Sequence, residues 1–406
     1  MAKIPKIRFN GFTEEWKEQQ LGGFVAEHRV SNKLIHHQNL LSLSYGKIVR
    51  RDINSDKGLL PASFDTYQLV DKDVIVFRVT DLQNDKRSLR VAIAEEEGIV
   101  SPAYVCVDTT NPDISASFLH KVLHYHDVIT KIYYKMGDGL RQTLNFQDLK
   151  ELKIVYPNTD EQQLITSLFQ NIDDTISKRA TELEKIKNIK RALLEKLFPT
   201  DEQKIPVLRF KECSNEWESA KLNKYLTVST EKNKNNTYTA NDVLSVSGDY
   251  GVVNQIEFQG RSFAGASLLG YRVIHNGEIA YTKSPLKANP YGIIKANKGV
   301  SGIVSALYGV YKVQGANPAF LQDYFDLTAR LNRYLRPLVK KGPKNTLLIS
   351  DEEALNGVII CPKMEEQNKI ASLLDKLTSI ILLRERQLTL LKQTKQALLK
   401  QMFVNE

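Results

Sequence analysis

Cysteine is scarce in this chain, with three residues among 406, at positions 106, 213 and 361. They are odd in number, lie far apart and show no Cys-x-x-Cys spacing, so neither a disulfide framework nor a zinc site is indicated. Tryptophan is scarcer still, at Trp16 and Trp217 alone. No run of 18 or more apolar residues occurs, so no segment reads as a membrane span. The basic start, Met1 to Arg8, is followed by no apolar stretch, so no secretory signal is indicated and a cytoplasmic location is expected. What is present is ordinary globular material, 42% apolar and 25% charged, in a length that suits two or three domains. That excludes a wholly disordered chain.

The net charge is +9, from 56 Lys and Arg against 47 Asp and Glu. Its distribution is uneven. Residues 1–157 carry 21 basic and 20 acidic side chains, and residues 206–362 carry 19 and 13. The excess therefore sits mainly in the later segment, where it fits nucleic acid or an acidic partner.

The chain repeats itself. Pro5, Arg8, Phe9, Glu15, Trp16 and Leu21 recur 201 positions later as Pro206, Arg209, Phe210, Glu216, Trp217 and Leu222. Gly98-Ile99-Val100-Ser101 recurs at an offset of 204 as Gly302-Ile303-Val304-Ser305. Pro157 and Glu161-Gln162 recur at 205 as Pro362 and Glu366-Gln367, and the segment ending in Phe198 recurs as the one ending in Phe403. Chance similarity does not hold so many matches in register.

Each repeat has two parts. The first, 1–157 and 206–362, reads as α/β. Short apolar runs (Val74 to Phe77, Tyr104 to Val107, Ile279 to Tyr281, Val310 to Val313) predict strands. A helical pattern follows from Phe118 to Met136 and from Phe320 to Val339, with Gly137 and Gly342 as stops. The second part, 158–199 and 363–406, is one long helix, the two copies being joined through a short linker at 200–205. Between Glu161 and Phe198 there is no Gly or Pro. Heptad steps pass through Ile165, Phe169, Ile172, Ile176, Arg179, Leu183, Ile186, Lys190, Leu193 and Leu197. The second copy gives Ile370, Leu374, Leu377, Ile381, Arg384, Leu388, Leu391, Lys395, Leu398 and Met402, with Arg and Lys at the same two steps. A seam of this length predicts two helices packed on each other, each a rod of roughly 57 Å. The plain alternative is a helix packed on its own domain's core.

Catalytic signatures are missing. There is no G-x-x-x-x-G-K-[ST] and no N-P-P-aromatic loop, since Asn289-Pro290-Tyr291 and Asn317-Pro318-Ala319 lack the second proline. Gly137-Asp138-Gly139 lacks the third glycine of a dinucleotide turn. Pro112-Asp113 has no Glu-x-Lys follower, and Glu202-Gln203-Lys204 falls in the linker. His120, His124 and His126 cluster without a further ligand nearby, so no metal is expected there. The chain is expected to catalyse nothing by itself.

DNA chemistry is better represented. Arg78, Thr80, Gln83, Asn84, Lys86, Arg87 and Arg90 interleave forked donors with amides and hydroxyls. The later repeat offers Lys283, Ser284, Lys287, Asn289 and Tyr291 at the corresponding place, while Arg141, Lys341 and Lys344 add charge. Arg reads guanine edges, Gln and Asn read adenine, and Lys and Ser serve phosphates.

The Arg8-Phe9…Trp16 opening, the Phe77-Arg78…Asn84-Asp85-Lys86-Arg87 and Tyr281-Thr282-Lys283-Ser284 segments, and Pro157…Glu161-Gln162 before a long helix carry a resemblance. The whole chain resembles the specificity subunit of type I restriction–modification systems. The resemblance implies two target recognition domains, each reading half of a bipartite, asymmetric site in double-stranded DNA. It implies an antiparallel coiled-coil pair of helices that sets the spacer and docks two methyltransferase subunits. Its seam would hold Ile172, Ile176, Leu183, Ile186, Leu193, Leu377, Ile381, Leu388, Leu391 and Leu398. Restriction subunits would complete an ATP-driven endonuclease. S-adenosylmethionine, ATP and Mg would be used by those other subunits, with no cofactor on this chain. A methylation-only complex without a cleaving subunit is the nearest alternative, and a divergent methyltransferase or nuclease the remoter one.

Overall fold

The short apolar runs are strands, and alternate residues along them feed different cores. The computed structural model describes residues 3–32, 39–52, 63–80, 82, 89–136, 143–200, 203–342 and 347–404. The chain divides into two units, Met1–Arg179 with Gln387–Glu406, and Ala180–Arg386. Unit 1 has a four-stranded antiparallel sheet in the order Val25–Glu27, Tyr104–Thr109, Ile75–Arg78, Val91–Ile93. On the central strand Ile75 and Phe77 enter the main core, while Val76 points into a second, smaller one. Burial on both faces explains why this strand reads as an unbroken apolar run. A five-stranded sheet follows, ordered Val30–Ser31, Gln68–Val70, Gly98–Val100, Leu40–Ser44, Lys47–Arg51.

Unit 2 repeats the plan. Its four-stranded sheet runs Leu226–Val228, Gly309–Val313, Ile279–Tyr281, Ile294–Ala296. The counterparts of the larger sheet are two pairs, Leu244–Ser247 with Gly251–Asn254 and Arg272–Ile274 with Gly302–Val304, linked by a single parallel bridge between Val243 and Ile303. In both units a two-stranded ribbon joins the start of the domain to its end: Lys17–Gln20 pairs Lys153–Tyr156, and Glu218–Lys221 pairs Val358–Cys361.

The helical stretch before the glycine stops is broken rather than continuous, although in unit 1 a last turn, Tyr133–Met136, still reaches the predicted end. In unit 1 the α-helix Ala116–Tyr125 passes into a π-helical turn, His126–Thr130, which Lys131 ends in a left-handed conformation at φ 56°. In unit 2 an extended Leu327 separates Pro318–Asp326 from Thr328–Leu335. Apolar periodicity survives such breaks, because both pieces face one core. Both α-helices begin at a capping residue, Ser115 and Asn317, whose side chain accepts a backbone N–H of the first turn.

The long helices are Thr159–Lys196 and Met364–Met402, each with acids in its first turn. All twenty heptad positions are buried or half-buried. Within unit 1, Lys395 pairs with Asp173 at 2.5 Å and Arg179 Nη1 donates to Gln387 at 3.5 Å. Within unit 2, Lys187 pairs with Glu385 at 2.8 Å. The ends of the stripe also pack on domain cores. Ile165 and Phe169 share the unit 1 core with Leu399, Met402 and Phe403, while Ile370 and Leu374 share the unit 2 core with Leu194, Leu197 and Phe198. Each core thus holds the start of one long helix and the end of the other. Phe403 meets Tyr125 at 5.4 Å and Trp16 at 6.3 Å, and Phe198 meets Phe320 at 5.3 Å and Trp217 at 6.0 Å. A mainchain bond secures each end, Ile7 N–H to Gln401 O and Leu208 N–H to Lys196 O.

The repeated polar motif is a latch at the helix entry. Arg8 donates twice to the Glu161 carboxylate, at 2.7 and 2.8 Å, and Arg209 does the same to Glu366 at 2.8 Å for both bonds. Gln162 Nε2 donates to Pro157 O at 3.0 Å while its Oε1 accepts from Ser115 N–H at 3.1 Å. Gln367 repeats this with Pro362 O at 2.9 Å and Asn317 N–H at 2.8 Å. One glutamine therefore ties the strand end, the long helix and the neighbouring helix cap together. Both Glu–Gln pairs are buried, so each needs all of these partners.

Candidate nucleic-acid interface

In unit 1 the strand Ile75–Arg78 delivers its last residue to the rim of an open cleft of about 440 Å³. Arg78 and Thr80 line it with Arg51, Tyr67, Tyr104 and the serines of strand Leu40–Ser44. Arg90, expected to touch DNA, is instead 1% exposed. Its Nη1 donates to Thr80 O at 2.8 Å, and its guanidinium lies 5.6 Å from the centroid of the Tyr134 ring. Its backbone N–H also donates to the buried Asp127 carboxylate. A guanidinium enclosed in this way braces the chain at Thr80 rather than reaching a groove, which corrects the sequence-based role. Burial pushes the Asp127 carboxyl up to about 6, against the pull of the two backbone donors from Arg90 and Val91. Gln83, Asn84, Lys86, Arg87, Arg141 and Lys344 lie outside the described residues.

In unit 2 the loop from Lys283 to Tyr291 joins strands Ile279–Tyr281 and Ile294–Ala296. Its base is closed by Thr282 N–H donating to Ile293 O and by Ile293 N–H donating to Thr282 Oγ1, both at 3.1 Å. Asn289 O accepts from Leu286 and Gly292 N–H groups. Gly292 takes φ 92°, where an added Cβ would meet the Tyr281 ring at 2.9 Å and the Lys283 nitrogen at 3.2 Å. Lys283 does not extend from this loop. Its ammonium pairs with Asp351 at 2.5 Å and donates to Ile349 O at 3.1 Å, and Asp351 also takes Arg272 at 2.7 Å. The lysine expected to contact DNA thus fastens the loop internally. Lys287 and Lys341 are exposed, Ser284, Asn289 and Tyr291 are half-buried, and Lys341 Nζ lies 5.8 Å from the centroid of the Tyr291 ring. Cations beside an amide and an aromatic ring suit phosphate and base contacts.

The named seam residues are all covered. Leu183 and Leu388 are buried, while Ile172, Ile176, Ile186, Leu193, Leu377, Ile381, Leu391 and Leu398 are half-buried.

Of the three histidines, His120 and His124 line another cleft of unit 1, of about 710 Å³, walled by the helix Ala116–Tyr125 and both long helices. Burial first, then Lys395 and Lys121, drives the His124 imidazole down to about 3, and His120 is lowered for similar reasons. Both rings are therefore neutral at ordinary pH. Among the described residues no group of three or more His, Cys, Asp or Glu side chains could hold a metal ion.

Sequence reasoning missed a pair of hairpins. Leu41-Ser42-Leu43-Ser44-Tyr45-Gly46 matches Leu244-Ser245-Val246-Ser247…Tyr250-Gly251, with two residues inserted before the tyrosine in the second copy. The match is four residues on one side of the insertion and two on the other, too short to stand out by itself.

The architecture is a duplicated one, in which two α/β domains alternate with two long helices. That is the fold of type I restriction–modification specificity subunits. A crystal structure of the type I restriction–modification system S subunit from M. genitalium is similar over 99% of this chain and 100% of that one, with a TM-score of 0.63 at 13% identity. The HsdS subunit from Thermoanaerobacter tengcongensis gives 0.41 at 15% identity, over 96% of each chain. A chain from a structural study of complex assembly and conformational transition of the type I R-M system gives 0.47 at 14%, over 96% of this chain and 98% of that one. No protein-family model and no curated protein sequence matches the chain. No described helix is long and apolar enough to cross a membrane.

Proposed function

We propose that this chain is the DNA-specificity subunit of a type I restriction–modification complex and catalyses nothing itself. The observation that carries the reading is the correspondence of fold with an S subunit over nearly the whole of both chains. Each unit reads one half of a bipartite, asymmetric site in double-stranded DNA. Arg78 and Thr80 act in unit 1, and Ser284, Lys287, Asn289, Tyr291 and Lys341 act in unit 2. The contacts Asp173–Lys395, Arg179–Gln387 and Lys187–Glu385 support an antiparallel helix pair, since numbers rise along one helix as they fall along the other. That pair sets the spacing and docks two methyltransferase subunits, with restriction subunits added for cleavage. S-adenosylmethionine, ATP and Mg belong to those partners.

The test is to express the chain with its methyltransferase and map the methylated adenines. Residues 206–362 are then exchanged for those of a relative. One half of the motif is expected to change and the other to persist, because contacts in well-separated half-sites add nearly independently. A swap that rewrote both halves would refute separate reading. Methylation without cleavage in a host that carries a restriction subunit would restrict the reading to a methylation-only complex.

A further inference from the structure

The hairpin of unit 1 ends on a residue that its backbone disfavours. Strands Leu40–Ser44 and Lys47–Arg51 pair with Ser44 opposite Lys47, which leaves Tyr45 and Gly46 as a two-residue loop. Both have positive φ, 48° and 76°. Asn-Gly is the favoured pair for that geometry, and a bulky side chain in its first position is an outlier. Burial does not compensate, because Tyr45 is 73% exposed. A strained, solvent-facing aromatic is a reason to ask what the ring touches.

Unit 2 displays the same ring on a different turn. Ser247 pairs with Gly251, leaving a three-residue loop in which Tyr250 precedes Gly251 as Tyr45 precedes Gly46. Tyr250 is 46% exposed, and its ring lies 5.3 Å from that of Phe258, itself 44% exposed. The two turns differ in length and conformation, so loop geometry alone does not account for a tyrosine at both tips. Cations stand close to each. The segment 40–51 contains Lys47, Arg50 and Arg51 and no acid, with Arg50 paired to Glu96, and Tyr250 borders a cleft that Lys190, Arg191 and Lys295 also line. Tyr45 also borders the cleft that holds Arg78 and Thr80.

Exposed rings backed by cations are the chemistry that stacks on a nucleobase where a duplex is locally unstacked, while holding the backbone. We propose that Tyr45 and Tyr250 are a matched pair of base-stacking contacts, each engaging a nucleobase in its own unit's share of the bound DNA. The inference rests on the DNA-specificity reading and adds to it an aromatic contact at each hairpin tip.

The experiment uses the full chain assembled with its methyltransferase and a duplex carrying the mapped motif. Tyr45→Asn suits the positive φ better than tyrosine, so the hairpin keeps its fold while losing the ring. Tyr45→Phe keeps the ring and removes the hydroxyl, and Tyr250→Ala and Tyr250→Phe serve unit 2. Loss of one stack is expected to weaken binding by about tenfold or more, with the Phe variants close to wild type. A 2-aminopurine scan of the duplex should find a position whose fluorescence changes on binding wild type and stays at the free-duplex level with Tyr45→Asn. Wild-type affinity in Tyr45→Asn and Tyr250→Ala, or loss of the methyltransferase in place of DNA, would overturn the inference while leaving the specificity reading intact. Equal losses in the Phe variants would assign the contact to the hydroxyl and overturn stacking. A wild-type complex that binds no DNA would overturn both.

Discussion

Removing the Glu161 carboxylate should weaken unit 1 more than the matching change weakens unit 2. In Glu161→Ala, Arg8 loses two bonds, and its side chain is only 10% exposed, so water replaces them poorly. Breaking a shielded ion pair from one side costs about 3–5 kcal/mol. Trp16 Nε1, which donates to Glu161 Oε2 at 3.2 Å, is orphaned as well. In Glu366→Ala, Arg209 loses the equivalent two bonds at 12% side-chain exposure, but Trp217 Nε1 has no hydrogen-bond partner among the described residues to lose. The difference between the two variants should therefore be about one hydrogen bond to a charged acceptor, roughly 1.5–3 kcal/mol. The two tryptophans make the assay direct, with one reporter per unit. Urea unfolding followed by Trp16 fluorescence in a Trp217→Phe background reads unit 1, and the reciprocal background reads unit 2. Glu161→Gln, which keeps an acceptor, should lose less than Glu161→Ala. An unchanged midpoint in Glu161→Ala, or a larger loss in Glu366→Ala, would refute the latch.

Lys283→Ala should lower the thermal stability of unit 2 by freeing Asp351 and the loop base, and should leave the salt dependence of DNA binding unchanged. A salt slope reduced by about one would return Lys283 to the phosphate-contacting residues. The His124 imidazole, held down to about 3 from 6.5, favours the folded state fully above pH 6.5, and that stability is lost as pH falls toward 3. His124→Gln should therefore unfold less steeply with acid over that window. Melting temperatures across it that track wild type would reject the assignment.

Much of the organisation was legible in one chain because duplication printed it twice. The repeat, the two kinds of segment, the central strands and the twenty covered heptad positions all rest on local periodicity, which sequence carries directly. So did the Arg8, Trp16, Glu161 and Gln162 motif, although its use as a latch did not. Tertiary structure alone decided which helix end enters which core, since Phe403 and Phe198 look alike in sequence and differ only in their neighbours. It also decided the fate of single charges. Arg90 and Lys283 read as DNA contacts from composition, yet Thr80 O and Tyr134 hold one while Asp351 and Ile349 O hold the other. A charged side chain near a loop can face water or an internal acceptor, and the choice depends on partners far away in sequence. The tyrosine hairpins escaped for a related reason. A two-residue insertion splits an already short match, and only the folded chain shows both rings exposed at a hairpin tip.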